Sequence, residues 1–400
     1  MPIKLHLDFE TASRVDLKLR GLDNYAKDPS THVLMMAYAC NDAPPQMWLP
    51  QDGPLPEHLE MMIRSNTIRK SAFNAEFERT ILREVMHIDT PGKIWSDPMI
   101  NARYASVAGN LEFVGKVLKL PEDKAKLATG KKLIKFFCSP NKAGEFNTHL
   151  THPAEFAEFT VYCLQDVRAE QALGKLLKAF ELPPLEQRVY ALDREINQRG
   201  LPVDMNFVRC ASQIVEEERA DLLKEFVELT GLENPNSPAQ LLGWLKEHDY
   251  PYGSLGAKWV TKALLDVAME FSTRRALELR QLCAKSSTAK LKALVNLVGP
   301  DGRLRNQYVY GGAARTLRWS GRGFQPQNLP RPTIKKIPEA IEAILTGDRE
   351  QVRAFGPPLE VVASCLRGAL CASGDSGEYH RLMACSECGK EGCNFDCKPW

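Results

Sequence analysis

A chain of 400 residues is long enough for two or three domains, each with its own hydrophobic core. Its 44% hydrophobic and 26% charged residues, with a net charge of +2, are typical of a soluble globular protein. The first residues lack the apolar core of a signal peptide, and no apolar run approaches the ~20 residues of a membrane helix, so we expect a cytoplasmic protein without membrane contact.

The first part of the chain alternates predicted strands and helices. Alternating apolar residues predict strands at residues 3–9 and 33–40, and a short strand at 71–73 runs into a helix from 75 to about 86. A longer helix is predicted after Pro153, to about residue 180. This succession indicates a mixed α/β domain.

An acidic pair, Asp8 and Glu10, lies at the end of the first predicted strand. Successive side chains of a strand point to opposite faces, so the two carboxylates share one face. They repel each other unless a hard cation such as Mg²⁺ or Mn²⁺ lies between them. By itself, such a pair is more often a solvated strand face than a metal site.

Three further residues make the pair a candidate catalytic site. Glu78 stands at the start of the helix after the strand at 71–73, and Tyr162 and Asp166 are spaced i and i+4 on one helix face. Each has a structural alternative, since a helix dipole favours an acidic residue such as Glu78 in the first turn and Tyr162 could be a core residue. Their order and their structural contexts together favour the site.

These blocks resemble the three exonuclease motifs of the 3′→5′ proofreading nucleases on the RNase H-like fold. Asp8 and Glu10 match the Asp-x-Glu motif, and Tyr162 and Asp166 match the Tyr-x-x-x-Asp motif. Residues 74–78 match Asn-x-x-Phe-Asp, except that Glu78 stands where aspartate is usual. The resemblance implies a mixed sheet flanked by helices over residues 1–180.

The resemblance also implies a mechanism. Such nucleases hydrolyse the phosphodiester with two cations roughly 3.5–4 Å apart, here Mg²⁺ or Mn²⁺. Asp8, Glu10 and Asp166 are expected to bind metal, with Asp8 bridging the two ions and Glu78 supporting the second ion. Tyr162 and Glu10 are expected to orient the attacking water. Asn74 is expected to contact DNA.

The residues after Pro183 read as mainly helical. A helix is predicted to end at Gly200, and a long charged helix follows from about residue 207 to 229. Ser237, three residues before Gln240 and followed by a proline, is a capping-box signature for the next helix.

No acidic residue occurs between Asp301 and Glu339, a span of loops and short predicted strands. The span is rich in cations and aromatic residues, namely Arg303, Arg305, Arg315, Arg318, Arg322, Arg331, Lys335 and Lys336, with Tyr308, Tyr310, Trp319 and Phe324. Such a stretch indicates contact with phosphates and stacked bases, although a solvated loop with uneven charge is the alternative.

Part of this stretch, residues 311–331, resembles the Thr-x-x-Gly-Arg-x-Ser … Gln-Asn-x-Pro block of phage-type family A DNA polymerases. The resemblance implies that the block grips a primer–template at the junction of thumb and palm. Leu317 stands where glycine is usual. The residues expected to bind DNA here are Arg315, Arg318, Arg322, Gln327, Asn328 and Arg331.

The fold expected from this resemblance is an α/β RNase H-like exonuclease domain (1–180), followed by a mainly α thumb and an incomplete palm (181–370). The palm carboxylates and the fingers helix of the family find no counterpart after Cys371, so we expect no DNA polymerisation from this chain. An uncovered thumb surface predicts partial disorder after about Arg331.

The remaining residues, 371–400, form a divergent tail rich in cysteine. Cys385, Cys388, Cys393 and Cys397 are spaced C-x2-C-x4-C-x3-C, near that of a zinc knuckle, with His380 as a further candidate ligand. The alternative is a segment read from an intron, an insertion or a shifted frame, without a selected structure. The other seven of the 11 cysteines occur singly, as reduced buried thiols do.

The sequence therefore predicts a fragment of a family A DNA polymerase that acts in DNA replication as a proofreading exonuclease. We expect a monomer that binds single-stranded 3′ ends and primer–template DNA in the cytoplasm of a bacterium or a phage-infected cell. Two alternatives stay open: a catalytically silent DNA-binding fragment, and a stand-alone nuclease with a zinc-binding tail.

Overall fold

The computed structural model describes residues 3–107, 109–125, 130–283, 287–313, 316–373 and 379–381. These residues form two compact units. The first consists of Met1–Gly200 with Asn296–Gln327, and the second of Leu201–Val295 with Asn328–Trp400. The predicted domain boundary at residue 180 thus falls inside the first unit. In the described residues, no helix combines the length and the hydropathy that a membrane crossing needs.

The first unit is built around a mixed five-stranded sheet of order β3-β2-β1-β4-β5. Its strands are β1 (Lys4–Ala12), β2 (His32–Cys40), β3 (Gln46–Trp48), β4 (Arg69–Ser71) and β5 (Trp95–Ser96). The central strand β1 runs antiparallel to β2 and parallel to β4. The predicted strand at 71–73 is thus shifted toward the N-terminus, and β1 continues past the acidic pair.

Helices cover the sheet of the first unit. They are α1 (Leu17–Lys27), α2 (Glu57–Arg64), α3 (Glu76–Glu84), α4 (Pro98–Tyr104), α5 (Leu111–Val117), α6 (Gly130–Phe137), α7 (Pro153–Leu176) and α8 (Pro184–Arg199). The predicted helices at 75–86 and after Pro153 correspond to α3 and α7, and α8 ends before Gly200, as predicted.

The alternation along β1 divides its side chains between two cores. Leu5, Leu7 and Phe9 pack in the core that includes Ile81 of α3. On the opposite face, Met35 and Ala37 of β2 pack against α7 in a second core. Because Asp8 pairs with Ala37 and Glu10 with Met35, both carboxylates face α7.

Residues 296–327 complete the first unit with the short strands β7 (Arg303–Leu304), β8 (Tyr308–Val309) and β9 (Ser320–Gly321). Strands β8 and β9 pair in antiparallel orientation. Tyr310 packs with Tyr190 of α8, their ring centroids being 5.2 Å apart. The loops and short strands expected here are therefore present.

The second unit is mainly helical, as predicted. Its remaining elements are β6 (Leu201–Pro202), α9 (Met205–Thr230), α10 (Pro238–Glu247), α11 (Ala257–Leu265), α12 (Phe271–Cys283), α13 (Ser287–Leu297), α14 (Ile337–Leu345), α15 (Arg349–Arg353), α16 (Pro358–Cys365), β10 (Cys371–Ser373) and β11 (Tyr379–Arg381). Ser237 precedes α10, but its side chain makes no capping hydrogen bond, so the predicted capping box is wrong in that detail.

The disorder expected after Arg331 is also wrong for the described residues. Helices α14, α15 and α16 lie in this span, and Ile341, Ile344 and Val362 are fully buried in them. These helices cover one another's apolar side chains and so form a core that the sequence did not reveal. Cys385, Cys388, Cys393 and Cys397 lie outside the described residues, so the zinc knuckle stays a prediction.

Candidate active site

Strand β1 and helix α7 supply most of the candidate site. Tyr162 and Asp166 share a side-chain hydrogen bond across one helical turn, as their spacing predicts. The pKa of the Tyr162 hydroxyl is raised by burial and by the charges of Asp166, Glu10 and Asp8. The hydroxyl therefore keeps its proton at neutral pH and can donate it in a hydrogen bond. Four of the five predicted catalytic residues are thus neighbours.

Glu78 joins them from helix α3. Its side chain is buried, and burial and the charge of Asp8 raise the pKa of its carboxyl group well above the ordinary value. Asp97 and Glu10 add smaller contributions in the same direction. Among the described residues, the Glu78 Oε2 atom finds no hydrogen-bond partner. A buried carboxylate oxygen left in this state is unfavourable unless a cation or a donor reaches it.

Asp97 fixes the start of α3 and was not identified from the sequence. Its carboxylate accepts the backbone N–H groups of Asn74 at 3.0 Å and Ala75 at 3.1 Å, and the hydroxyl of Tyr190 at 3.2 Å. Asn74 has a positive φ of 77°, so this turn needs such support. The Asp-Pro pair at 97–98, typical of a helix N-cap followed by proline, was the available signal.

Two thiols also border the carboxylates. The Cys163 Sγ atom lies 3.5 Å from Oδ2 of Asp8, and the Cys138 Sγ atom lies 3.9 Å from Oε2 of Glu10. Burial and the neighbouring carboxylates raise the pKa of both thiols well above the ordinary value. Both are therefore neutral, weak donors rather than thiolates. The sequence had indicated only buried, reduced thiols.

Helix α6 approaches the tyrosine ring closely. A Cβ atom at Gly130 would lie 2.0 Å from Cε2 and 2.4 Å from Cζ of Tyr162. Real Cβ atoms do not come so near, so any larger residue here requires the ring or α6 to shift. The Tyr162 ring is fully buried and stacks on Phe159, with ring centroids 6.0 Å apart. The position of the hydroxyl is thus fixed by packing from several sides.

The donor set suits a hard cation, since Asp8, Glu10, Glu78 and Asp166 are all carboxylates. The Oε2 atom of Glu78 is buried and has no hydrogen-bond partner among the described residues, and the repulsion from Asp8 raises the pKa of the Glu78 carboxyl group. Both observations fit a site that a cation would stabilise. In their described positions, however, no three His, Cys, Asp or Glu side chains are arranged to hold one metal ion.

The predicted DNA-binding residues are distributed differently. Arg318, Arg322 and Gln327 are exposed in residues 296–327 of the first unit, and Asn328 and Arg331 are exposed in the second. Arg315 lies outside the described residues. Next to Arg318, Leu317 has a φ of 54°, so this non-glycine residue occupies the left-handed conformation that the usual glycine adopts without strain.

Comparison with known proteins gives a relative among the curated proteins. The chain is 36% identical over 384 residues to a DNA polymerase of Bacillus phage SP02, an alignment that covers 94% of this chain and 59% of the phage protein. The chain therefore spans about three fifths of that relative's length. A search against protein-family models gave no match.

The fold comparison agrees. The POL domain of Pol1 from M. smegmatis, solved in complex with a DNA primer-template and dNTP, matches with a TM-score of 0.51 at 15% identity. The match covers 94% of this chain and 55% of that one. The similarity to a DNA polymerase that the motifs predicted is thereby confirmed.

Proposed function

We propose that this chain, a relative of phage DNA polymerases, is the 3′→5′ exonuclease portion of a family A enzyme that proofreads during DNA replication. The observation that carries the proposal is that the charges of Asp166, Glu10 and Asp8 all act on the Tyr162 hydroxyl, while Glu78 lies close enough to Asp8 for its pKa to be raised by it. Such clusters of like charge are unfavourable for folding and concentrate at functional sites. The mixed sheet with helices on both faces supports an RNase H-like assignment for residues 1–180.

Each residue has a role that its surroundings support. Asp8, Glu10 and Asp166 would hold Mg²⁺ or Mn²⁺ ions, and Glu78 would support the second ion. Two such ions, when bound, supply charge neutralisation and a nucleophile for phosphodiester hydrolysis. Tyr162 keeps its proton, so its hydroxyl can orient the attacking water together with Glu10. The packing of Gly130 and Phe159 around the ring pre-organises that hydroxyl.

The exposed cations of the acid-free stretch would bind the DNA. Arg318 and Arg322 are exposed in the first unit, where phosphates could reach them. Asn74 lies in the turn between β4 and α3, and would contact the 3′-terminal nucleotide. Arg315, Gln327, Asn328 and Arg331 would extend the contact along a primer–template. The chain would act as a monomer.

A silent DNA-binding fragment is the second candidate. Glu78 favours it, because the family motif usually has aspartate at this position and a carboxylate longer by one methylene has a different reach. The two candidates differ in one measurable property, the hydrolysis of DNA.

The test is incubation of the purified chain with a mismatched, 5′-labelled primer–template, Mg²⁺ and deoxynucleotides. We expect the primer to shorten from its 3′ end. Asp8→Ala and Asp166→Ala should each abolish shortening, whereas Asp52→Ala, in an exposed turn of the same unit, should not. DNA binding without shortening would establish the silent fragment. Shortening that survives Asp8→Ala and Asp166→Ala would refute the assigned site.

A further inference from the structure

A second recess in the first unit has no role in the proposed nuclease. It is a cavity of about 440 Å³ lined by residues of β4, β5, α4 and α8. This volume lies within the range of small-molecule sites, about 300–1,000 Å³. Its apolar wall includes Ile100, Leu182 and Leu185, and Tyr190 and Trp95 add aromatic surface.

One charged side chain of this cavity lacks hydrogen-bond partners for two of its nitrogen atoms. Arg194 is only 5% exposed, and its Nε and Nη1 atoms make no hydrogen bond to any described residue. Its guanidinium lies 4.2 Å from the ring centroid of Tyr190, which holds it in place. No described carboxylate forms an ion pair with Arg194. A buried charge without such partners is costly, so an anion is the missing group.

Most of the other charged residues around the cavity are also cations. Three further cations line it, Arg69, Lys93 and Arg188, and all three are exposed. The carboxylates of the lining are Asp97 and Glu181. Asp97 is already engaged by the backbone N–H groups of Asn74 and Ala75 and by the Tyr190 hydroxyl, so it does not neutralise Arg194. The cavity therefore carries an excess of positive charge.

We propose that this cavity binds a small phosphate monoester with a flat apolar portion, that is, a nucleoside monophosphate. The phosphate would accept hydrogen bonds from the fork of Arg194 at the buried end, with the exposed cations at the mouth. The base would lie against the wall of Ile100 and Leu182. This site is separate from the carboxylates of β1 and α7, and the proposal does not depend on nuclease activity.

The test is calorimetric titration of the full chain with deoxyadenosine monophosphate and, separately, with inorganic phosphate. The titrations use the Asp8→Ala background and EDTA, so that the carboxylate site does not contribute. We expect saturable one-to-one binding of the nucleotide, tighter than that of phosphate. Arg194→Gln should weaken nucleotide binding at least tenfold. Arg64→Gln, on the exposed face of α2 and paired with Glu60, is the matched control and should change nothing.

Three results would overturn the proposal. The first is that the nucleotide does not bind at millimolar concentration, and the second is that Arg194→Gln binds the nucleotide with unchanged affinity. The third is that Arg194→Gln weakens the binding of a single-stranded oligonucleotide but not that of the nucleotide. The last result would identify a strand phosphodiester as the ligand. If circular dichroism shows that Arg194→Gln does not fold, Arg188→Gln at the exposed mouth replaces it. A threefold or greater loss of affinity in Arg188→Gln supports the site, and an unchanged affinity overturns it.

Discussion

Replacing Gly130 by alanine should both destabilise the protein and slow its nuclease reaction. The new Cβ would lie 2.0, 2.4 and 2.7 Å from three atoms of the Tyr162 ring. The ring is fully buried, stacks on Phe159 and is hydrogen-bonded to Asp166 through its hydroxyl, so it has no free space to enter. Overpacking of this kind costs about 1–3 kcal/mol, and three close contacts favour the upper end.

The kinetic effect follows from the same displacement. Either the ring rotates and loses the Asp166 contact, or α6 withdraws from the site. A displacement of about 1 Å at a positioning group can lower a rate by roughly 10²-fold. Urea unfolding followed by circular dichroism measures the stability, and single-turnover shortening of a labelled primer measures the rate.

Gly174→Ala is the matched control, because Gly174 lies on the same helix as Tyr162. Its added Cβ would meet only Pro98 Cγ, at the ordinary distance of 3.9 Å. We expect it to gain up to about 1 kcal/mol of stability from helix propensity and to retain activity.

The double variant Gly130→Ala/Tyr162→Ala tests whether packing against the Tyr162 ring causes the loss of stability in Gly130→Ala. Once the ring is removed, Gly130→Ala should cost little further stability. If Gly130→Ala alone unfolds at the wild-type urea concentration and shortens primers at the wild-type rate, the packing argument is wrong.

Three further predictions follow from other contacts. Burial raises the pKa of Asp193 from 3.8 to about 6. The protonated carboxyl group therefore contributes stability that is fully present below pH 4 and is lost as the pH rises through 6. The free energy of unfolding of Asp193→Asn, measured with urea and relative to the wild type, should therefore rise by up to about 3 kcal/mol between pH 4 and pH 7. A difference between the two proteins that does not change with pH would refute the raised pKa. Glu78→Gln should raise stability by about 1 kcal/mol in EDTA, because it removes a buried carboxyl group whose ionisation is opposed by burial and by Asp8. It should also lower the rate of shortening. Equal stability of this variant and the wild type in EDTA would contradict the repulsion. Arg318→Gln should lower the slope of log K against log salt concentration for DNA binding by the amount that corresponds to about one phosphate contact. Arg64→Gln should leave this slope unchanged.

The elements that carry the candidate site were largely predictable because their patterns are local. Alternation predicts β1 and places Asp8 and Glu10 on one face. The i and i+4 spacing predicts the Tyr162–Asp166 hydrogen bond, which the structure contains. Helices such as α8 were indicated by periodicity and by the glycine that follows the helix. Local rules failed at Ser237, where the side chain does not cap, and after Arg331, where helices fold on one another.

The sequence by itself determined the residue types, their spacing and the similarity to a DNA polymerase. Tertiary structure decided what surrounds those residues, because it depends on segments that are distant in the chain. It buries Glu78 beside Asp8, supports the α3 turn with Asp97 and brings Gly130 against the ring of Tyr162. It also encloses Arg194 at a cavity, where its Nε and Nη1 atoms find no hydrogen-bond partner among the described residues. Burial and uncompensated charge arise only when such segments pack together, and no pattern of neighbouring residues encodes them.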